Sequence, residues 1–572
     1  MSRYAPIFAK AIAEILGEDE GDVLDQITVP PRKAMGHLAF PCFDLAKTRG
    51  TTPPEAATHL EQSLSLPEDF GRVAVAGPYV NLFVNGETAA RDIVSDVLSA
   101  GPCFGTSDAG GGEKVPVDFS SPNIAKPFGI HHLRSTVIGH ALCRMLAARG
   151  YQPVGINHIG DWGTQFGQLL AIWEELGDEV RLQQEGISFL LDLYVEFNRR
   201  LEEDPEIQER ARVKFQSLEG GDGECRRLWE EFRKVSLAEF DRVYAMLGIH
   251  FDEVQGESYY EELMPAVLEE LESKGLLTES EDATVVDLED DDLGTALLRK
   301  KDGSTLYLTR DLAAADYRYQ TYTFPRCLYV VGVSQTHHFQ QMKKILERMG
   351  RAWHGAVEHV PFGMMRFTDR KMSTRKGDII YLEDVLNKAA DLARETIAKG
   401  VEEKGRVAPD NLDEVSRQIS IGAVVFNDLK NRRARDVVFD WDAVLSFEGE
   451  TGPYLQYTAA RIASILARYG KEYCGEIEWS LLSGEDETLL LLAIDGLPAS
   501  LARAVDSSEP SYLADQLLKI ASHFSTLYSR RDWKVLSDDE TLTKARLSLA
   551  AATRQALCNG LGWLGIPIPD RM

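Results

Sequence analysis

The chain has 572 residues, of which 44% are hydrophobic, and its formal net charge is −28 at pH 7. At roughly 100 to 200 residues per domain, this length predicts three or four domains. The acidic excess argues against a general nucleic-acid-binding protein, although it does not exclude a local basic groove. Seven scattered cysteines without CxxC spacing argue against a zinc site and fit reduced thiols in the cytoplasm.

The first 104 residues predict an α+β domain. MSRYAPIFAKAIAEIL has the apolar spacing of an amphipathic helix, and RVAVAGPYVNLFVNGE alternates like two paired strands around a Gly-Pro turn. The polar, glycine-rich stretch 105–114 marks the first domain boundary.

Residues 115–390 predict an α/β domain with a doubly wound, Rossmann-like parallel sheet. VPVDFSS reads as a buried strand, HLRSTVIGHALCRMLAARG as a helix and YQPVGINHIGDWG as the next strand. Helices and acidic loops then form an insertion, and a second strand–helix group begins at CLYVVGVSQ. Ligands of such a sheet bind beyond the carboxyl ends of its strands.

Residues 391–572 predict an all-α bundle, because helical periodicity dominates segments such as GPYLQYTAARIASILARYG. The longest apolar run, 489–494, ends at Asp495 and is far shorter than the roughly 18 residues of a membrane-spanning helix. The N-terminus lacks the apolar core of a signal peptide. We therefore predict a cytoplasmic protein without membrane contact.

The segment SPNIAKPFGIHHLRS, residues 121–135, has features of a phosphate site. It lies between a strand and a helix, whose free N–H groups and dipole favour anions. Lys126 adds a positive charge, and His131 and His132 add hydrogen-bond donors. Neither GxxxxGK[ST] nor GxGxxG occurs in the chain. The alternative is an ordinary loop with two surface histidines.

The segment RFTDRKMSTRKGDII, residues 366–380, is strongly basic in an acidic chain. Several cations on one loop suit a pyrophosphate leaving group, because phosphoryl chemistry depends on positioning and charge neutralisation. The alternative is a solvated basic loop.

Together these segments resemble the paired signatures of class I aminoacyl-tRNA synthetases. SPNIAKPFGIHH is similar to the HIGH motif with the Pro-Asn prefix of the arginyl-tRNA synthetase family, and KMSTRKG is similar to its KMSKS loop. Further resemblance to this family lies in AGPYVNLF, DGSTLYLTRDLAAADYR, FDWDAVLSFEGETGPYLQYTAARI and LGIPIPDRM. The resemblance therefore runs through the whole chain.

The resemblance implies a two-step reaction. The carboxylate of L-arginine attacks the α-phosphorus of ATP and releases pyrophosphate, and the terminal adenosine of arginine tRNA then accepts the arginyl group. ATP is a substrate, Mg²⁺ accompanies ATP, and no protein-bound metal is expected. The resemblance also implies a monomer that binds arginine tRNA and no DNA.

The same resemblance implies roles for individual residues at the phosphates. They neutralise the charge that develops on the phosphate oxygens. The residues implied for catalysis are Lys126, His132, Lys371, Ser373, Arg375 and Lys376, and those implied for ATP binding are Pro127, Gly129, His131, His132, Lys371 and Met372.

An arginine pocket is implied by five further positions: Asp118, Asn123, Tyr307, Asp311 and Gln335. Asn123 and Gln335 match positions that hold the α-amino and carboxylate ends, and Tyr307 and Asp311 match the guanidinium site. A carboxylate can receive a planar guanidinium at two N–H groups, which lysine cannot match. Without the resemblance, a surface ion pair would be the better reading of Asp311.

Contacts with tRNA are implied on the first and the last domain. The positions are Asn81, Phe83, Arg432, Gln456, Tyr457 and Arg461. Tyrosine can stack on an unpaired base. The alternatives are a strand core for Phe83, a helix packing face for Gln456 and Tyr457, and a solvated face for the basic stretch 430–435.

Two departures from the family pattern leave a rival hypothesis. Gly129 stands where the family has its first histidine, and His131 stands where the family has glycine. An imidazole there must collide with adenine or turn aside, and we expect it to face away from His132, as neighbours on a helix do. Thr374 replaces the second KMSKS lysine.

The rival is a catalytically impaired, tRNA-binding paralogue. Two less favoured alternatives are a class I synthetase for another amino acid and a ligand-binding protein with a metal at its adjacent histidine pairs. The paired acidic pocket positions argue against the first, and the absence of supporting Cys or carboxylate spacing argues against the second.

Overall fold

A five-stranded parallel sheet lies at the centre of the chain in a computed structural model. The structure describes residues 2–67, 70–280, 283–299, 307–367, 380–404, 409–472 and 475–572. The strands are Leu38–Pro41 (β1), Gly71–Ala76 (β2), Tyr79–Val84 (β3), Lys114–Asp118 (β4), Gln152–Asn157 (β5), Glu253–Val254 (β6), Thr278–Ser280 (β7), Ala283–Leu288 (β8), Gly294–Arg299 (β9), Cys327–Tyr329 (β10), Val357–His359 (β11), Met365–Phe367 (β12) and Val437–Phe439 (β13).

Helices surround this sheet and form the last part of the chain. In order they are Tyr4–Leu16 (α1), Glu20–Gln26 (α2), Phe43–Arg49 (α3), Pro53–Ser63 (α4), Gly86–Ala100 (α5), Leu133–Ala148 (α6), Thr164–Leu176 (α7), Glu179–Glu185 (α8), Ile187–Glu203 (α9), Ile207–Glu219 (α10), Gly223–Leu247 (α11), Met264–Ser273 (α12), Tyr307–Tyr322 (α13), Thr336–Arg348 (α14), Leu382–Lys404 (α15), Leu412–Leu429 (α16), Trp441–Val444 (α17), Gly452–Tyr469 (α18), Glu485–Asp495 (α19), Leu497–Asp506 (α20), Ser511–Ser529 (α21) and Glu540–Trp563 (α22).

The central sheet confirms the predicted doubly wound topology. Its strand order is β11–β10–β4–β5–β6, and all neighbours are parallel. The chain starts in the middle at β4, moves outward through β5 and β6, and returns to the other side at β10. The strand order therefore reverses between β4 and β10, where a doubly wound sheet forms its ligand crevice.

Helix α6 is buried on nearly every side, which explains its weakly amphipathic sequence. It packs on β4 and β5 and also contacts α16, α20 and α22 of the helical part. Val137, Ile138, Ala141 and Met145 are all buried. A helix covered by protein on both sides needs no polar face.

The first domain contains an antiparallel sheet with strand order β1–β3–β2. As predicted from the alternating sequence, β2 and β3 form a hairpin in which Ala76 pairs with Tyr79. Gly77 in the turn has a φ of +59°, which a residue without a Cβ adopts at little cost.

Two insertions interrupt the central sheet. Helices α7–α11 separate β5 from β6, and α12 with the antiparallel strands β7–β9 separates β6 from β10. In the helical part that follows, β13 pairs in parallel with β12, so that Met365 lies opposite Val437. The helical periodicity did not predict this short strand, which joins the last part of the chain to the sheet domain.

A buried ion pair ties α6 to the helical part. Arg134 Nε lies 2.8 Å from Asp428 Oδ2, and each side chain is only 1% exposed. Arg134 Nη1 also donates to the carbonyl oxygens of Gly363 at 2.7 Å and Arg435 at 2.8 Å. One guanidinium thus connects α6, α16 and the segments that lead into β12 and β13.

The two ends of the chain are also in contact. Helix α5 packs on α19 and α22. The Arg3 backbone N–H donates to Asp495 Oδ2 at 2.6 Å across 492 positions of sequence. The stretch Glu485–Asp506 is long and apolar enough for a membrane-spanning helix by composition alone. It folds here as α19 and α20, which pack against α21 inside the helical part.

Replacing Asp428 with Ala should lower the free energy of unfolding by about 3–5 kcal/mol, because it leaves the Arg134 charge buried and unpaired. Urea denaturation followed by circular dichroism measures this change. The matched control is Asp44→Ala, which breaks the exposed 2.7 Å pair with Lys47 and should have little effect. Equal losses in both variants would contradict a structural role of the buried pair.

Candidate active site

The loop after β4 has a strained backbone that its neighbours hold in place. Ser120, Ser121 and Ala125 have positive φ angles of 69°, 49° and 61°. Such conformations persist in residues other than glycine only where the surroundings fix them, and they cluster at functional sites. Ser135 Oγ in α6 accepts from the Ser120 N–H at 2.9 Å and donates to the Val330 carbonyl at 2.7 Å. The loop is therefore fixed between β4 and β10.

The two histidines of this loop lie side by side. They occupy the turn Ile130–His132 just before α6, and their ring centroids are 3.9 Å apart. The expectation that the two side chains face different ways was therefore wrong, because the His131 side chain turns its ring onto that of His132. Whether the imidazole at 131 leaves room for adenine stays a prediction.

Both imidazoles are neutral near pH 7. Burial and the neighbouring His131 hold the pKa of His132 well below its usual range, while partial burial and the Lys126 charge lower the pKa of His131. Each neutral ring can donate one N–H. Lys126 Nζ lies 4.8 Å from the ring centroid of Tyr194 in α9, a cation–π contact that the sequence did not reveal.

The end of the basic segment reaches this loop. Ile130 N–H donates to the Ile380 carbonyl at 2.9 Å, and Leu382 N–H donates to the Phe128 carbonyl at 3.1 Å. Gly129 pairs with Tyr381 between these two bonds. The predicted positions Lys371, Met372, Ser373, Thr374, Arg375 and Lys376 lie outside the described residues.

Tyr307 and Asp311 lie on the first two turns of α13, as their i, i+4 spacing predicted. The Tyr307 residue is 61% exposed, whereas the Asp311 carboxylate is largely covered. Asp311 Oδ2 lies 2.6 Å from His338 Nε2 in the first turn of α14. Gln335 immediately precedes α14 and is exposed at the same edge of the sheet.

Asp118, at the carboxyl end of β4, already holds a guanidinium of the chain itself. Arg318 Nη2 lies 2.8 Å from Asp118 Oδ2, and both side chains are buried. Ser121 Oγ donates to the other carboxylate oxygen at 2.9 Å. Asp118 therefore shapes the site through Arg318, which lies over the Tyr329 ring at 5.0 Å, and does not present an open carboxylate.

Glu257 is an acidic residue of this site that the sequence analysis missed. It follows β6, and its Oε2 is buried without a hydrogen-bond partner in the described structure. Among the described residues, the cation in ion-pair contact with it is Arg310, whose Nη1 lies 3.8 Å away. Burial raises the pKa of Glu257 to about 8, and the nearby Asp311 charge adds to this shift. A buried, unpartnered carboxyl group is suited to an incoming cation.

The Glu257 turn is attached to the loop that carries Asn123. Asp161 accepts from Ser258 N–H and Ser258 Oγ, each at 2.9 Å. Gly160, just before Asp161, accepts from Ile124 N–H at 3.1 Å. A Cβ at Gly160 would lie 1.9 Å from Asn123 Oδ1, so glycine permits this close approach.

The position of Glu257 was accessible to sequence reasoning in principle. The side chains of a parallel sheet's site follow its strands, and Glu257 follows the third strand of the sheet. That strand has only two residues, Glu253–Val254, both exposed. A strand this short gives no periodic signal.

In the first domain, the predicted RNA contacts lie on β3. Asn81 is 1% exposed, and its Oδ1 has no partner in the described structure. Phe83 is half-buried, with the Arg72 guanidinium 3.9 Å above its ring and the His37 ring 6.2 Å away.

The other predicted RNA contacts lie in the helical part, and they differ in how far they are buried. Gln456 is fully buried and donates to the carbonyls of Gln418 at 2.8 Å and Pro567 at 2.6 Å, so it holds helices together and offers no surface to a base. The Arg461 guanidinium lies 4.4 Å from the ring centroid of the half-buried Tyr457. Arg432 lies 3.9 Å from the Tyr512 ring centroid and donates to Ser511. These three residues, rather than Gln456, remain candidates for a nucleic-acid surface.

In the part of the chain that the structure describes, the histidine pairs do not form a metal centre. There, no group of three or more His, Cys, Asp or Glu side chains is arranged to hold an ion. His338 instead pairs with Asp311.

Comparisons with known families cover nearly the whole chain. The family described as "tRNA synthetases class I (R), catalytic domain" matches residues 94–441. The family "Arginyl tRNA synthetase N terminal domain" matches residues 2–84, and "DALR anticodon binding domain" matches residues 455–572.

Individual relatives agree over their full length. The chain is 43% identical over 571 residues to an arginine–tRNA ligase of Clostridium perfringens, with all of both chains covered. It is 44% identical over 560 residues to an arginine–tRNA ligase of Clostridioides difficile, covering 98% of this chain and 97% of the relative. The solved arginyl-tRNA synthetase of Thermus thermophilus is similar in structure, with a TM-score of 0.81, 26% identity and 99% of each chain covered.

Replacing Glu257 with Gln should increase stability relative to the native chain as the pH rises from 5 to 8. The usual glutamate pKa is about 4.3, so in this range the unfolded chain ionises at Glu257 while the folded chain keeps its proton, and the native chain loses stability. Glutamine does not titrate. Thermal unfolding at several pH values measures the difference, with Glu262→Gln at an exposed position as the control. A constant difference across this range would contradict the raised pKa.

Proposed function

The chain belongs to the arginyl-tRNA synthetase family, and we propose that Glu257 and Asp311 bind the guanidinium of its arginine substrate. The protein activates L-arginine with ATP and transfers the arginyl group to arginine tRNA. The observation that carries the proposed pocket is the buried Glu257 carboxyl group, whose Oε2 lacks a hydrogen-bond partner in the described residues.

The pocket suits a guanidinium because two acidic groups remain available at one edge of the sheet. Asp311 has one oxygen bound to His338, and its other oxygen accepts no hydrogen bond from the described residues. Glu257 ionises when a cation supplies the partner that it lacks. Tyr307 covers the entrance, and Asn123 and Gln335 hold the α-amino and carboxylate ends.

The phosphates of ATP bind where Lys126, His131 and His132 meet the start of α6. Two neutral imidazole donors, one lysine and the helix N-terminus stabilise the charge that develops as pyrophosphate leaves. His131 supplies the imidazole that Gly129 lacks. Mg²⁺ binds together with ATP, and the basic residues of 371–376 place positive charge beside the leaving pyrophosphate.

The alternative of a catalytically impaired paralogue has no support. The relatives that match the chain over its full length are arginine–tRNA ligases. The reordered motif also retains two imidazoles in contact with each other.

We assign a role to each of the three parts of the chain. Residues 1–104 form the N-terminal tRNA-binding domain, 115–390 the catalytic domain with its insertions, and 391–572 the anticodon-binding domain. The protein acts as a monomer in the cytoplasm. The pairing of β12 with β13 supports a close junction between the second and third domains.

Replacing Asp311 with Ala should reduce arginine-dependent ATP–pyrophosphate exchange at least hundredfold, because a charged hydrogen-bond partner of the guanidinium is lost. Binding of arginine tRNA, measured by filter retention, should stay nearly unchanged. Asp290→Ala, on an exposed turn, is the control. Equal loss of exchange and tRNA binding would identify Asp311 as a structural residue.

Replacing His131 with Gly should slow the same exchange about ten- to hundredfold, because one donor to the phosphates is lost. Adding Gly129→His to this variant restores the family order of the motif and should recover most of the rate. Both variants are compared at saturating arginine, ATP and arginine tRNA. Faster exchange in His131→Gly alone would mean that the imidazole at 131 obstructs adenine.

A further inference from the structure

His338 lies beside the proposed guanidinium site but is not one of the positions that the family resemblance assigned. It lies in the first turn of α14, while Asp311 lies one turn into α13. The two helices meet here, and the His338 Nε2 to Asp311 Oδ2 distance is 2.6 Å. Both side chains are about one-fifth exposed, so the contact faces the crevice without being open to bulk water.

The contact defines the donor and the acceptor. A carboxylate only accepts hydrogen bonds, so Nε2 of the imidazole carries a hydrogen and donates it to Asp311. Asp311 Oδ2 is thereby occupied, and Oδ1 is left for a ligand. Because an aspartate carboxylate rotates broadly about its last torsion, one fixed oxygen also sets the direction of the other.

The imidazole itself is held by aromatic neighbours. Its ring meets Phe339 edge-on, with centroids 5.4 Å apart. Phe339 is buried, stacks on the His359 ring at 4.6 Å and packs on Tyr329 at 5.2 Å. His359 in turn bonds to the Val331 carbonyl at 3.0 Å, just beyond β10. This row of rings connects the position of His338 to the sheet.

We propose that His338 is a positioning residue that sets the affinity for arginine by orienting Asp311. This inference rests on the proposed role of Asp311 in binding the guanidinium. A planar guanidinium is bound strongly only when the acceptor oxygen lies near its plane and at the right distance. A carboxylate that turns freely must lose that freedom when the substrate binds, which weakens binding.

Two substitutions separate the N–H donor from the rest of the ring. His338→Gln places an amide N–H at the same number of bonds from the backbone as Nε2, whereas His338→Leu keeps a similar volume without a donor. We expect His338→Leu to raise the KM for arginine about tenfold, with the KM for ATP and kcat changed less than twofold. His338→Gln should stay within about threefold of the native KM. Exchange is measured with saturating arginine tRNA.

A double-mutant cycle tests whether His338 acts through Asp311. In an Asp311→Asn background, His338→Leu should have almost no additional effect on the KM for arginine, because the orientation of the carboxylate no longer matters. His337→Leu, at the exposed neighbouring position, is the matched control and should behave like the native chain. Thermal unfolding of every variant checks the fold. If His338→Leu fails to fold, His338→Asn replaces it, because the asparagine amide is too short to reach Asp311.

The outcomes distinguish this inference from the assignment on which it rests. If Asp311→Asn leaves the KM for arginine unchanged, the guanidinium site itself is misassigned. If Asp311→Asn impairs binding while His338→Leu does not, only the role of His338 is overturned. Equal increases in the KM values for arginine and ATP, or equal effects of Gln and Leu, would also overturn it.

Discussion

The buried pair of Arg134 with Asp428 is the interaction on which the geometry of the molecule depends. Arg134 follows His132 by two positions, so it lies in the first turn of α6, next to the loop that we propose binds the phosphates of ATP. Its three bonds reach Asp428, Gly363 and Arg435. Burial raises the pKa of Asp428 and the Arg134 charge opposes this shift, so each ion depends on the other. Buried charges tolerate little displacement, so this pair fixes the turn Ile130–His132 relative to the helical part.

A second constraint is the distribution of positive charge around the crevice. Two arginines of the chain pair with acidic side chains near the proposed guanidinium site: Arg318 binds Asp118, and Arg310 lies 3.1 Å from Glu261. Within the described part of the chain, Glu257 has the longer ion-pair contact with Arg310, at 3.8 Å. Glu257, which keeps its proton until a cation binds, and the second oxygen of Asp311 are then left for the guanidinium that we propose they bind. Two carboxyl groups suit a planar guanidinium better than a smaller ammonium group.

The hydrophobic periodicity of the sequence predicted individual helices and strands, but it did not predict contacts between segments that are far apart in sequence. The alternation in β2 and β3, the buried strand β4 and the long helix α6 carry local patterns, and the structure confirms them. The spacing of Tyr307 and Asp311 could be interpreted because both lie on one helix. Other contacts depend on packing between segments far apart in sequence.

Three residues illustrate this limit. Arg318 reaches Asp118 across 200 positions, and Glu257 follows a strand too short to recognise. Gln456 looks like a polar surface residue in its own helix, but the chain end around Pro567 covers it. In each case the environment is created by tertiary structure, about which local hydrophobic periodicity carries no information.

The contact between the two ends of the chain affects how the protein is made. The bond from Arg3 to Asp495 spans 492 positions. At about 5 to 20 residues per second, a ribosome needs roughly 25 to 100 s to make the intervening chain. For most of that time the apolar face of α5, including Ala89, Ile93 and Val97, lacks the helices that cover it in the finished protein. The N-terminal part of the chain is therefore synthesised first, but its contacts with α19 and α22 form only after most of the chain has been made.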